Sequence, residues 1–422
     1  MSDSDRLLSD AERDLFAKFF AGLEAAGIVA VLLRNYEDFP ASIGHDLDLF
    51  VRRREALAAS QIFRALLAAA GGTVLIVHER DYFIDIRFVL NTSAANAIHL
   101  DIYHGSFTWH SLHYLTEEKL LAGSLPCQGL LIPRPAHEAF NIFFASILWG
   151  GFYKARYQPR IAALLATPVE RAEFDCCTLE AFGAAGSPPF DPCSSTLPGK
   201  SEVKTYAARL RRAFKRQSFR HAPLQTVIRL ARHWRVEFGC LLRPKGLLIA
   251  VTGPDDVDKL AAIEGLLQRV GELFTERQVY HLSPEKPSGL ASPNRLSASG
   301  RLLKEWCKCW WRWPVRGWKK KAQSQLIIFE RYTEDWWCNP ACYGFGGLPG
   351  WWVKLFARTT PQPDFVFLLT PNDGLTVSSR YESWAKLGRR RFIVDAAQPE
   401  PAILDCLESI VVAYIRAREV PH

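Results

Sequence analysis

The chain has 422 residues, 48% of them hydrophobic and 23% charged, which excludes a disordered or fibrous chain and leaves room for two to three globular domains. A formal charge of +8 suits anionic partners: nucleotide, sugar phosphate, nucleic acid or a phospholipid surface. The polar N-terminus carries no signal-peptide pattern, and no apolar run approaches the roughly 20 residues of a spanning helix, so a cytoplasmic protein with reduced thiols is expected. The close cysteine pairs, Cys176-Cys177 and Cys307/Cys309, lack zinc spacing.

Residues 5–27 read as an amphipathic helix, with Leu8, Leu15, Phe16, Phe19, Phe20 and Leu23 recurring at helical spacing. Ile28–Arg34 reads as a buried strand. In the next strand, Asp46-Leu-Asp48-Leu-Phe-Val51, the period of two sends Asp46 and Asp48 to one face and Leu47, Leu49 and Val51 to the other. Two acids on one face repel, and a divalent cation between them relieves the repulsion. A helix over 54–70 and strands near Thr73–His78 and Tyr82–Leu90 follow. The strand Ala97–His104 then brings Asp101 into apolar company, with Asp85 a competitor for the role of third acid.

The remainder of the first half, 114–166, reads as mostly helical, and its longest apolar run, Phe140–Phe152, as a buried helix. A Pro/Gly/Ser-rich stretch at 183–199 marks a boundary. Ser201–Arg235 is a basic amphipathic helix or helix pair, suited to a solvated connector or to docking on anionic lipid or a polyanion.

From Lys245, buried strands alternate with helices: around Leu247–Thr252, Arg277–Leu282, Gln325–Glu330, Pro363–Leu369 and Arg391–Val394. That order predicts a mostly parallel sheet covered on both faces, with any site beyond the strand C-termini. Lys259, Glu330-Arg331 and the loop after Leu369 should converge there, with Arg380, Lys386 and Arg389–Arg391 suited to a lid over phosphates. Ser283–Ser299 reads as a loop. Lys304–Lys321 combines five tryptophans with many cations, a composition suited to a packed helix pair with a basic rim, a membrane interface, a sugar-stacking surface or single-stranded nucleic acid.

Two resemblances follow from these motifs. Asp46-x-Asp48 on one strand and a third acid on another resemble polymerase-β-type nucleotidyltransferases. In that family two such carboxylates hold two Mg²⁺ ions, and the third binds one of them and helps deprotonate the attacking hydroxyl. Arg34-Asn35 stands where those proteins carry Gly-Ser, and Leu33-Arg-Asn-Tyr36 adds to the likeness.

The second half resembles the thymidylate-kinase-like P-loop proteins encoded with bacterial surface-polysaccharide genes. The likeness rests on Pro244–Asp255, Glu330-Arg-Tyr-Thr-Glu-Asp335, Asn339–Gly344, Pro361-x-Pro-Asp364 and Arg380. Gly253 and Lys259 fit the P-loop. Asp256 and Asp258 replace its glycines, Leu260 its Ser/Thr, Glu330 an Asp, Cys342 an Arg and Thr370 an Asp, which argues against kinase activity.

The expectation is therefore α/β. A nucleotidyltransferase-like α+β domain with a helical tail (1–167) is followed by a basic connector (168–242) and a three-layer α/β/α kinase-like domain with a degenerate P-loop (243–422). The resemblances imply Asp46, Asp48 and Asp101 as Mg²⁺ ligands and catalytic acids, and Arg34, Gly253, Lys259, Arg331 and Arg380 as ligand-binding residues. They also imply a nucleoside triphosphate or sugar-phosphate ligand. Glycan, polysaccharide-assembly proteins and an anionic inner-membrane face are the expected partners, and nucleic acid is not. A non-catalytic scaffold and an atypical nucleotide or sugar kinase are the competing readings.

Overall fold

The computed structural model describes residues 6–44, 46–90, 94–194, 198–254, 257–281, 295–370 and 390–419. The chain forms two compact units, Met1–Asn91 with Ile98–Val236 and Thr92–Ala97 with Glu237–His422. The boundary expected near 183–199 instead falls inside the first unit.

The first unit is built on a seven-stranded mixed sheet of β1 (Val31–Leu32), β2 (Asp46–Val51), β3 (Thr73–Glu79), β4 (Phe83–Val89), β5 (Ile98–His104), β6 (Leu125–Cys127) and β7 (Leu130–Ile132). Its order is β6-β7-β1-β2-β5-β4-β3. β2 and β5 pair in parallel, and β4 pairs antiparallel with β5. The strand expected over Ile28–Arg34 shrinks to β1. The hairpin β6-β7 lies in a segment expected to be helical; its Leu125, Cys127, Leu130 and Ile132 are only partly covered or exposed, so no clear apolar alternation announces it.

Helices cover both faces. α1 (Asp10–Ala25) starts with a capping box between Ser9 and Glu12, and it buries Leu15, Phe16, Phe19 and Leu23. With α2 (Ala56–Ala69) it packs on the face made by Leu47, Leu49, Val51, Ile86 and Leu100. The other face carries a second core. It draws on Phe140, Phe143 and Phe144 of α3 (Pro135–Ala145), Phe174 and Phe182 of α4 (Pro168–Phe182), and Tyr206, Leu210 and Phe214 of α5 (Lys200–His221). Residues read as a connector are thus core of the first unit. The helical tail expected after residue 114 continues through α5. The basic stretch resolves into two helices, α5 and α6 (Pro223–Leu242).

The second unit is a five-stranded, wholly parallel sheet of β8 (Leu247–Thr252), β9 (Arg277–His281), β10 (Leu326–Glu330), β11 (Phe365–Thr370) and β12 (Arg391–Asp395), in the order β9-β10-β8-β11-β12. All six residues of β8 and of β11 are buried, as strands covered on both faces require. Between the strands run α7 (Lys259–Val270), α8 (Arg295–Arg312) and α9 (Gly350–Thr359), and α10 (Glu400–Glu419) closes the chain. No helix among the described residues is long and apolar enough to cross a membrane. Arg380, Lys386, Arg389, Asp256 and most of the loop expected at 283–299 lie outside the described residues.

Candidate functional site

In the first unit the acids are placed by strand register. Asp48 on β2 is the direct partner of Asp101 on β5, and Asp101 is the direct partner of Asp85 on β4. The three carboxylates therefore form a row on the face that carries the aromatic core, with Phe50 and Tyr103 two residues further along their strands.

The row divides by its cations. Asp85 is buried and ion-paired to Arg87 two residues on, at 2.7 Å. Asp46, Asp48 and Asp101 instead bring one oxygen each within 4.8 Å of the others, a spacing a single divalent cation can gather. Asp101, not Asp85, is the third acid of that group.

Asp48 is fully buried. Its Oδ2 accepts from Arg34 Nε at 2.7 Å and lies 2.5 Å from Nη2, which is 3.8 Å from Asp46. Its Oδ1 finds no hydrogen-bond partner among the described residues. Burial pushes the Asp48 carboxyl up to about 7, Arg34 pulls against it, and Asp46 adds repulsion. Burial, then Asp85, Asp48 and Asp46, raise Asp101 well above the usual carboxylate range. An orphaned buried oxygen inside a set of hard oxygen donors fits Mg²⁺ or Mn²⁺.

The Leu33–Tyr36 motif has a local explanation. Leu33 N–H bonds to the Asp48 carbonyl at 2.9 Å, which fixes Arg34 beside Asp48. Asn35 turns the chain at φ 55°, a conformation asparagine tolerates better than most residues. Tyr36 then donates to Glu138 at 2.8 Å and lies under the Arg160 guanidinium at 5.2 Å.

Beside the acids opens a cavity of about 490 Å³ lined by Arg34, Asp48, Tyr82, Tyr103, Trp149 and Lys154 among others. Its volume and its aromatic walls with a few polar groups are those of a small-molecule site. Trp149 sits in a π-helical turn, Ser146–Gly150, that ends at Gly151 with φ 68°, and its indole donates to the Thr108 carbonyl at 3.2 Å. Tyr82, Tyr103, Trp149 and Lys154 carry no sequence signal, because they join Arg34 and Asp48 only through strand pairing and packing of the tail on the sheet.

In the second unit, Gly253 and Arg331 follow the C-terminal ends of the adjacent strands β8 and β10. A Cβ on Gly253 would lie 2.3 Å from the Leu369 carbonyl oxygen, so the position admits only glycine. The Asp258 carboxylate caps α7, accepting from the amides of Leu260 at 3.1 Å and Ala261 at 3.0 Å. Those are amides a bound phosphate would use. Lys259 is buried, and its ammonium donates to the loop carbonyls of Pro254 at 2.5 Å and Val257 at 3.1 Å. Arg331 sits at φ 63° beside Tyr343.

A third cluster went unread in the sequence: His137, Glu173 and Cys177 also come within 4.8 Å of one another. Lys119 at 3.4 Å and Arg134 at 3.3 Å already neutralise Glu173, and burial pushes the Cys177 thiol up to about 12. Two resident cations on Glu173 make this an ion-pair network rather than a metal centre.

The fold and site thus define a two-unit α/β protein, with a carboxylate cluster on the mixed sheet of one unit and a self-capped helix N-terminus at the end of the parallel sheet of the other. No family model and no curated protein matches the chain. Among solved structures it is similar to thymidylate kinase from Candida albicans, with 11% identity over 40% of this chain and 93% of that one, at a TM-score of 0.28. It is also similar to a candidate nucleotidyltransferase from H. pylori, with 10% identity over 50% of this chain and 99% of that one, at a TM-score of 0.21. Neither likeness assigns an activity.

Proposed function

We propose that the first unit is a metal-dependent nucleotidyltransferase acting in the synthesis of a bacterial surface polysaccharide or related glycan, and that the second unit is a pseudokinase kept for binding. The observation that carries the reading is the gathering of Asp46, Asp48 and Asp101, with one buried oxygen of Asp48 unpartnered among the described residues, at the edge of a ligand-sized cavity. Mg²⁺ held by those three acids would neutralise charge on a nucleoside triphosphate and on its leaving group.

The chain's own groups supply the rest. Arg34 and Lys154 give the cavity two cations for an anionic ligand, and Tyr82, Tyr103 and Trp149 give it flat apolar walls. Asp101, beside the other acids, would take the acceptor hydroxyl's proton. The glycan context rests on the resemblance of the motif series in the second half.

In that second unit, Asp258 caps the helix amides and Lys259 is bonded to the loop carbonyls of Pro254 and Val257, and this supports loss of phosphoryl transfer rather than an atypical kinase. A docking role alone is the other reading. It is favoured by Trp311 and Trp351, which are 86% and 66% exposed.

The test is calorimetric titration with ATP, CTP, GTP and UTP, with and without Mg²⁺, of the intact protein, Asp48→Ala and Lys259→Ala. Magnesium-dependent binding lost only in Asp48→Ala supports the proposal. Loss only in Lys259→Ala restores the kinase, and no binding in any form leaves the docking role.

A further inference from the structure

Resting on the metal-dependent reading above, we infer that Arg34 is a built-in cation that limits the carboxylate cluster to a single divalent metal ion. Asp48, the most deeply buried of the three acids, cannot bridge two ions through its two oxygens, because it does not have both to give. Its Oδ2 is taken by Arg34 at 2.7 Å from Nε and 2.5 Å from Nη2, and only Oδ1 is left without a partner. Asp48 is fully buried, so no rotation into solvent exchanges the two oxygens cheaply.

The charge count agrees. With all three carboxylates deprotonated, as metal ligands must be, they and one guanidinium sum to −3 + 1 = −2, which one divalent ion brings to zero. A second ion would stand against the Arg34 guanidinium, which also lies 3.8 Å from Asp46. Like charges at that separation repel strongly wherever water is excluded.

Arg34 is held in this role rather than resting there by chance. Backbone bonding of Leu33 to Asp48 places it, the left-handed Asn35 turns the chain away immediately after it, and Tyr36 is locked onto Glu138 and Arg160. Its guanidinium also cannot lose its proton to make way for a metal. The cluster is therefore a one-ion site in which a tethered side chain supplies the second positive charge.

The experiment counts Mn²⁺ bound to the full chain without nucleotide, by electron paramagnetic resonance of the free ion, with Mg²⁺ competition to rank affinities. The proteins are the unchanged chain, Arg34→Ala, Arg34→Gln, Arg34→Lys and Asp48→Ala. Circular dichroism and thermal melts identify the folded variants, and Arg34→Gln serves if the alanine variant does not fold.

One Mn²⁺ per unchanged chain is expected, lost in Asp48→Ala. Arg34→Ala or Arg34→Gln should bind a second ion or bind the first at least tenfold tighter, and Arg34→Lys should stay at one. Two ions on the unchanged chain, or Arg34 variants with unaltered or weaker binding, would overturn the inference while leaving metal dependence standing. No ion on the unchanged chain but one on Arg34→Ala would overturn the one-ion assignment, and the nucleotide titration with Mg²⁺ would then decide metal dependence separately. No ion on either would overturn both.

Discussion

The Asp258 carboxylate accepts the Ala261 amide at 3.0 Å, putting an internal anion at the N-terminus of the helix where a P-loop protein would receive phosphate. Asp258→Ala should lower the stability of the second unit by about 1 kcal/mol, the ordinary worth of an N-cap. Chemical denaturation followed by tryptophan fluorescence measures it. If the helix end is self-satisfied, Lys259→Ala leaves triphosphate affinity unchanged in the same preparation.

Asp85 and Asp101 are direct strand partners with opposite expected phenotypes. Asp85→Asn strands the buried Arg87, so it should destabilise the first unit by about 3 kcal/mol or more while leaving metal binding in the folded fraction intact. If the proposed metal-dependent transfer holds, Asp101→Asn should do the reverse, abolishing metal binding and lowering that activity at least about a hundredfold with little loss of stability. Melting curves and metal titration on the two variants separate the roles, and equal metal loss in both would contradict the assignment.

Glu334 gives the second unit a pH dependence. Burial pushes its carboxyl up to about 7, with Arg391 pulling the other way. A carboxyl whose folded value is raised contributes stability that is present below about 4.5 and disappears as pH rises through 7. The loss amounts to about 3 kcal/mol by pH 8. Urea unfolding between pH 5 and 8 should show that decline, and Glu334→Gln should flatten it.

His104 and His113 act in the opposite direction in the first unit. Burial, with Arg53 near both, holds each at about 4. Their stabilising effect is complete above about 6.5 and fades as pH falls toward 4. Acid unfolding of the first unit should begin in that range, and His113→Gln should shift its midpoint to lower pH.

Trp311 is 86% exposed at the end of α8. Trp311→Ala should change stability by no more than about 0.5 kcal/mol. If the Trp-rich helix docks on anionic lipid, the same change weakens co-sedimentation with vesicles containing phosphatidylglycerol. Unaltered co-sedimentation would leave the membrane without a role at this face.

The sequence by itself determined what depends on local periodicity. Alternation along Asp46–Val51 sent both acids to one face whatever the rest of the chain did, because side chains in a strand repeat every two residues. Continuous apolar runs at Leu247–Thr252 and Phe365–Thr370 announced strands buried on both sides. That Asp258 and Leu260 differ from the Gly and Ser/Thr of a P-loop pattern was also legible, since each residue's chemistry is its own.

The tertiary structure decided everything that depends on pairing. Asp85 and Asp101 look alike in the sequence, and only the neighbouring Arg87 and the shared register with Asp48 tell them apart. Arg34 is fourteen residues from Asp48, and the pairing of β1 with β2 makes them one charge system. Residues 168–221 carry a linker-like stretch, yet their aromatic positions fill the first unit's core. Burial and ion pairing are set by what packs across a sheet face, and one stretch of chain does not contain that information.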